Sequence, residues 1–268
     1  MDNRPIGIFD SGVGGLTVAN AIRQILPGEN LIYFGDTSHL PYGDKSPETI
    51  QHYSAGITKF LLEQDCKIIV IACNSASANA FETVKGMTGN KAPVLNVIDP
   101  VVEYVTKYNE YKHIGVIGTK STINSNTYAD KIHCKDKGYI VSSMATTLFV
   151  PMIEEGFIYD DISNAIIRTY LSRHELNGIN CLILGCTHYP IIKNQINKFY
   201  NFEIDIIDSS KIVANALREL LDKNNLLSGK NESVEHKFFV SDITPAFKII
   251  SKMFFEEDVD LKLQNIWD

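Results

Sequence analysis

No apolar run in this chain of 268 residues approaches the roughly 20 residues that cross a bilayer, so no membrane partner is expected. Positive charge is also short. The 25 Lys and Arg face 32 Asp and Glu, for a net charge of −7. Nucleic acid is therefore not the default partner, because a binding face needs clustered Lys and Arg. The opening Met1-Asp2-Asn3-Arg4-Pro5 carries no apolar secretory segment and leads straight into a strand-like run, so a cytoplasmic location is expected. Cys-x-x-Cys is missing, which disfavours a thiol redox protein. Five cysteines, an odd number, do not make a disulfide framework in a reducing compartment. Low-complexity segments are absent. The rest is ordinary globular composition, 44% hydrophobic and 21% charged, with length for one large domain or two modest ones.

Strand-like and helix-like stretches alternate throughout. Ile6–Asp10, Leu31–Gly35, Ile68–Ala72, Val94–Ile98, Ile114–Gly118, Leu182–Gly185 and Ile204–Asp208 read as strands. Leu16–Leu26, Pro47–Glu63, Ser75–Lys85, Asp160–Ser172 and Ser209–Leu221 read as helices, with Ser46 as a cap before Pro47. This alternation predicts an α/β protein of mainly parallel sheets flanked by helices. Asn224–Glu235, centred on Ser228-Gly229-Lys230-Asn231, is the most loop-like stretch.

Two runs resemble each other. Lys67–Asn74 and Asn180–Thr187 are each an apolar run, a small residue, a cysteine and a small polar residue. Cys73 and Cys186 thus fall at the carboxyl ends of buried strands, where open α/β sheets place ligands. Asp10 precedes Cys73 at nearly the spacing by which Thr119 precedes Cys186, which suggests a duplicated topology. Paired thiols in equivalent places suit the movement of one proton across a planar carbon. Each thiol also precedes polar residues that open a helix or turn, whose positive end lowers a thiol pKa. Cys66, Cys134 and Cys181 read as small buried hydrophobes.

Other chemistries are weaker. The loop Asp10-Ser11-Gly12-Val13-Gly14-Gly15 has Thr17 where a dinucleotide fingerprint wants glycine. Asp44-Lys45-Ser46 and Thr119-Lys120-Ser121 lack the glycine of a phosphate loop. The first loop is either a plain tight turn or a ligand loop in which Asp10 and Ser11 touch the substrate. The second, Gly35–Gly43, is either a surface turn or an anion cradle around Tyr42 and Gly43. Zinc on Cys181, Cys186 and His188 is disfavoured, because strand alternation turns the two cysteines to opposite faces. By pattern alone His188 is a structural histidine or a partner for a nearby base, and Glu154 is an exposed helix carboxylate.

Together the segments Ile8–Thr17, Pro41-Tyr42-Gly43, Ala72–Ala78, Gly118-Thr119, Val150–Gly156 and Leu184–Pro190 resemble the glutamate racemases of the aspartate/glutamate racemase family, in the family's order. Ser75 departs from the threonine of many members but keeps the hydroxyl. After about residue 209 the resemblance rests on length and element order.

The resemblance implies two similar α/β domains with the active site in the cleft between them, no cofactor and no metal. The domains would be residues 1–97 plus 209–255, and 98–208. The tail 256–268 would add an edge strand or cover the junction. It implies Cys73 and Cys186 as the two catalytic bases, Asp10 and His188 as their helpers, and Glu154 as a further polar residue of the site. Asp10, Ser11, Tyr42, Gly43, Asn74, Ser75, Thr119, Thr187 and His188 match substrate-contacting positions. It further implies a homodimer that acts on glutamate and supplies D-glutamate for peptidoglycan. Aspartate-specific relatives carry Glu at the position of His188, which favours glutamate over aspartate. An amino-acid-binding protein on two α/β lobes would explain the loops but leave the paired thiols without purpose.

Overall fold

A strand covered by helices on both faces has no solvent side for polar residues, which is why these apolar runs pair in parallel. In a computed structural model, which describes residues 1–107, 110–229 and 234–267, the strands run in chain order. They are β1 (Ile6–Asp10), β2 (Leu31–Gly35), β3 (Ile68–Ile71), β4 (Val94–Asn96), β5 (His113–Gly118), β6 (Ile140–Ala145), β7 (Cys181–Gly185), β8 (Asp205–Ile207), β9 (His236–Val240) and β10 (Leu261–Leu263). They form two parallel sheets, one of six strands ordered β10-β9-β2-β1-β3-β4 and one of four ordered β6-β5-β7-β8. Helices flank both, and β1, β2, β3 and β7 are buried along their whole length. The fold class is the α/β class that the alternation predicts.

The order β2-β1-β3-β4 repeats as β6-β5-β7-β8, so the duplication holds as topology. Register refines it. Phe9 lies opposite Ile71, which carries Ser11 level with Cys73, and Gly118 lies opposite Gly185, which carries Thr119 level with Cys186. The counterpart of Thr119 is thus Ser11 rather than Asp10.

Several elements differ from the sequence reading. The helix expected over Ser75–Lys85 is two helices, Asn74–Asn79 and Phe81–Thr88. Asn79 Nδ2 donates to the Ser75 carbonyl at 2.8 Å and to Ser121 Oγ at 3.0 Å, a side-chain competition that favours a break at that point. Val94–Ile98 gives a strand only to Asn96, whose side chain accepts the N–H groups of Ile98 and Asp99 and opens the next helix. β6 is an edge strand and β9 is half-buried, and such strands lack the continuous apolar run that identifies a central one, whereas β10 is an edge strand within the tail 256–268, as expected. Ser46 caps the helix Pro47–Glu63 by accepting the Thr49 N–H. Within the expected loop, Lys230 and Asn231 lie outside the described residues. Among the described residues no helix is long and apolar enough to cross a membrane.

Candidate functional site

The carboxyl ends of β1, β3, β5 and β7 open on one cleft of about 220 Å³. Of the sequence-selected residues, Ser11, Tyr42, Gly43, Cys73, Asn74, Ser75, Thr119, Glu154, Cys186, Thr187 and His188 line it. Asp10 does not. It is wholly buried behind the first loop, where Oδ2 accepts the N–H groups of Gly12 at 3.1 Å and Gly15 at 3.0 Å. Its Oδ1 has no partner among the described residues. Burial raises the Asp10 pKa, opposed by the His188 charge and by the N–H groups of Gly15, Gly12 and Ser11.

Two glycines let the strand ends meet. A Cβ on Gly14 would lie 2.5 Å from the His188 ring and 2.6 Å from Thr187 Oγ1. One on Gly43 would lie 2.7 Å from Thr119 Cβ. Only a residue without a side chain permits these approaches. Tyr42 aims its hydroxyl away from the cleft, donating to the buried Asp36 carboxylate at 2.6 Å.

Cys73 caps the six-residue helix Asn74–Asn79, with its sulfur accepting the Ala76 N–H at 3.4 Å, and its thiol is 3.6 Å from Ser11 Oγ. The expectation that a helix start lowers this thiol's pKa is overturned. Burial first, then the Asp10 charge, push it from its ordinary 9.0 up to about 12. The Ala76 N–H and Ser11 oppose them and lose. A helix this short has a weak dipole, and the sulfur is almost sealed from water.

The Cys186 side differs. Its sulfur lies 3.8 Å from His188 Nδ1, and His188 Nε2 lies 2.9 Å from Glu154 Oε1. Burial disfavours a charged imidazole, yet the Cys186 sulfur and the Glu154 carboxylate outweigh it and raise His188 from 6.5 to about 10. His188 is therefore an imidazolium at neutral pH. Phe254 meets its ring edge-on at 5.0 Å. Glu154 is half-buried beside the cleft, not the exposed helix carboxylate that its pattern alone suggests.

Cys181 sits buried at the amino end of β7, paired with Ile114 and Asp205 and remote from the cleft end, and Cys66 is buried too, whereas Cys134 is exposed rather than the buried hydrophobe expected. Among the described residues no three His, Cys, Asp or Glu side chains group as metal ligands. Sequence reasoning missed Lys120, Thr146 and Thr147, which also line the cleft. Lys120 pairs with Asp44 at 3.0 Å across its mouth. Its only signal was its place after Thr119, in a segment weighed as a phosphate loop.

A glutamate racemase of Chlorobium phaeobacteroides is 43% identical over 263 residues, which is 98% of this chain and 96% of the relative. One of Geobacter metallireducens is 41% identical over 95% of this chain and 93% of its own length. The crystal structure of a Francisella tularensis glutamate racemase in complex with D-glutamate superposes with a TM-score of 0.94 at 42% identity, covering 100% of this chain and 99% of that one. Residues 15–217 match the model of the Asp/Glu/Hydantoin racemases, and the chain belongs to that family.

Proposed function

We propose that this protein is a glutamate racemase that inverts the α-carbon by a two-thiol proton transfer. The observation that carries this reading is that Cys73 and Cys186, at corresponding ends of the two sheets, line one cleft. Relatives named glutamate racemase align over nearly the whole chain, which supports glutamate as substrate. We further propose that the two units are residues 1–97 with 209–255, and 98–208. The separation of β1–β4 and β9 from β5–β8 into different sheets supports this division.

With L-glutamate, the Cys186 thiolate takes the α-proton, so the Cα–H bond breaks and an S–H bond forms. The Cys73 thiol gives its proton to the opposite face, leaving a thiolate there. With D-glutamate the roles reverse. Each turnover leaves the protons exchanged between the sulfurs, and exchange with solvent resets them. His188 holds positive charge beside Cys186 and is hydrogen-bonded to Glu154 on its far nitrogen, and Asp10 tunes Cys73 from behind. The α-carbon is a weak acid, so its developing negative charge needs preorganised donors in a site shielded from water. Ser11, Asn74, Ser75 and Thr187, with the N–H groups of the loop ends, are available to bind both carboxylates. Supply of D-glutamate for peptidoglycan, a cytoplasmic location and a homodimer follow from the same reading.

Circular dichroism of purified protein with L-glutamate and, in parallel, L-aspartate tests this reading. Decay of the L-glutamate signal to zero with L-aspartate unchanged is the expected result. An unchanged L-glutamate signal overturns it.

A further inference from the structure

Asn74 follows the first thiol and is almost sealed from solvent at the cleft wall. Its amide is half satisfied. Oδ1 accepts a hydrogen bond from the Tyr128 hydroxyl at 2.8 Å, while Nδ2 is buried with no partner among the described residues. An unpaired buried donor is costly and is tolerated where a ligand completes it.

Which end of the amide is free depends on Tyr128. This residue lies on the helix Thr127–Lys135, on the β5–β8 side of the cleft, and is itself 2% exposed. Burial first, then the charges of Cys186 and Asp99, raise its ionisation far above the ordinary tyrosine value, so the hydroxyl keeps its proton. That proton has one acceptor among the described residues, Asn74 Oδ1. Turning the amide over would leave the tyrosine proton buried and unpaired and would point an oxygen where Nδ2 now stands. Satisfaction of the hydroxyl thus selects the orientation in which the open position is a donor. The complement of such a position is an anionic oxygen, and the substrate class of the proposed reaction carries two carboxylates.

We propose that Tyr128 is a positioning residue, holding the Asn74 amide so that Nδ2 faces a substrate carboxylate. The inference rests on the glutamate reading. Tyr128 touches no reacting atom and acts through Asn74. Because the two residues come from opposite sides of the cleft, the donor is oriented only while those sides are together.

The test is Tyr128→Phe, which keeps the ring and removes the hydroxyl. KM for glutamate is expected to rise about 3- to 10-fold, the value of one neutral hydrogen bond, with a smaller change in kcat. In an Asn74→Ala background the same change is expected to alter KM less than about twofold, because the two residues act as one unit. A purely structural role would lower the melting temperature and the active fraction while leaving KM as it was, and that result overturns the proposal. So does an equal KM effect in both backgrounds. Asn74→Asp keeps the acceptor for Tyr128 and replaces the donor with a second carboxylate oxygen. It is expected to raise KM at least about 10-fold at neutral pH, because a carboxylate oxygen then faces the substrate carboxylate. Unchanged binding by Asn74→Asp overturns the proposal even if Tyr128→Phe fails to fold. A wild-type protein that racemises glutamate while these variants behave like it refutes this proposal and leaves the glutamate reading standing. A wild-type protein without racemisation refutes the glutamate reading itself.

Discussion

The ends of β3 and β7 share a topology and differ in electrostatics. At β3 a thiol meets a hydroxyl, an N–H and a carboxylate sealed behind it, and burial keeps the sulfur protonated well past neutral pH. At β7 a thiol meets an imidazole that a carboxylate and the sulfur hold charged. The duplicated sheet order puts two sulfurs on one cleft, and the unlike neighbours assign them different work at rest. Strand position is a backbone property, while protonation belongs to side chains within a few ångströms. Duplication can therefore preserve the first and let the second diverge.

Removing either sulfur breaks the comparison most severely. Cys73→Ala and Cys186→Ala are each expected to lose about 10²- to 10⁴-fold or more in racemisation, the range for loss of a positioned proton-transfer group. Their residual chemistry separates the sides. In deuterated water Cys73→Ala still exchanges the α-hydrogen of L-glutamate through Cys186 without inverting it, and Cys186→Ala does the same for D-glutamate. Mass spectrometry of each recovered enantiomer reads this directly. Full racemisation by either variant would end the two-thiol scheme.

The unequal sides cannot favour one direction in kcat/KM, since enantiomers have equal free energies in water. The difference must appear as unequal KM offset by unequal kcat. His188→Asn sharpens this next. It removes the positive charge beside Cys186 and is expected to cost at least about 10²-fold in kcat, again in the range of proton-transfer catalysis. The same variant carries a stability signature. The folded His188 pKa of about 10 exceeds its ordinary 6.5, so the native state holds a proton that the unfolded chain releases between these values. Its stabilising contribution is complete below pH 6.5 and is lost as pH rises through 10. Cys73, raised from 9.0 to about 12, adds a further alkaline loss that begins near pH 9. The wild-type melting temperature should fall as pH rises through 10, and His188→Asn should remove the part of that fall that Cys73 does not explain. A parallel fall in both proteins would mean that the imidazole is neutral in the native state.

The two sides were also unequally legible in the sequence. Periodicity located the buried central strands and therefore the positions of Cys73 and Cys186, since an apolar run bounded by small residues has few other uses. It missed β6 and β9, which lie nearer the edges and need less apolar surface. Helix position suggested an activated thiol at Cys73, and the opposite emerged because burial depth and Asp10 are tertiary facts. Glu154 pointed to solvent by pattern and meets His188 across 34 positions of sequence. Tyr128 gave no local signal, because a buried residue on an amphipathic helix is ordinarily packing.

The smallest expected effect lies where the two sides meet in water. Lys120 follows Thr119, Asp44 follows Gly43, and their ion pair spans the cleft mouth with both side chains more than half exposed. Exposed pairs contribute about 0–1 kcal/mol, since water screens the charges and two long side chains lose freedom. Lys120→Ala should therefore move the melting temperature by no more than a few degrees. It should leave the α-hydrogen exchange of both enantiomers intact, because neither sulfur nor its neighbours depend on the ammonium group. If the variant instead lost exchange on one enantiomer alone, the mouth would be coupled to one thiol, and the asymmetry traced to His188 and Asp10 would need a third contributor.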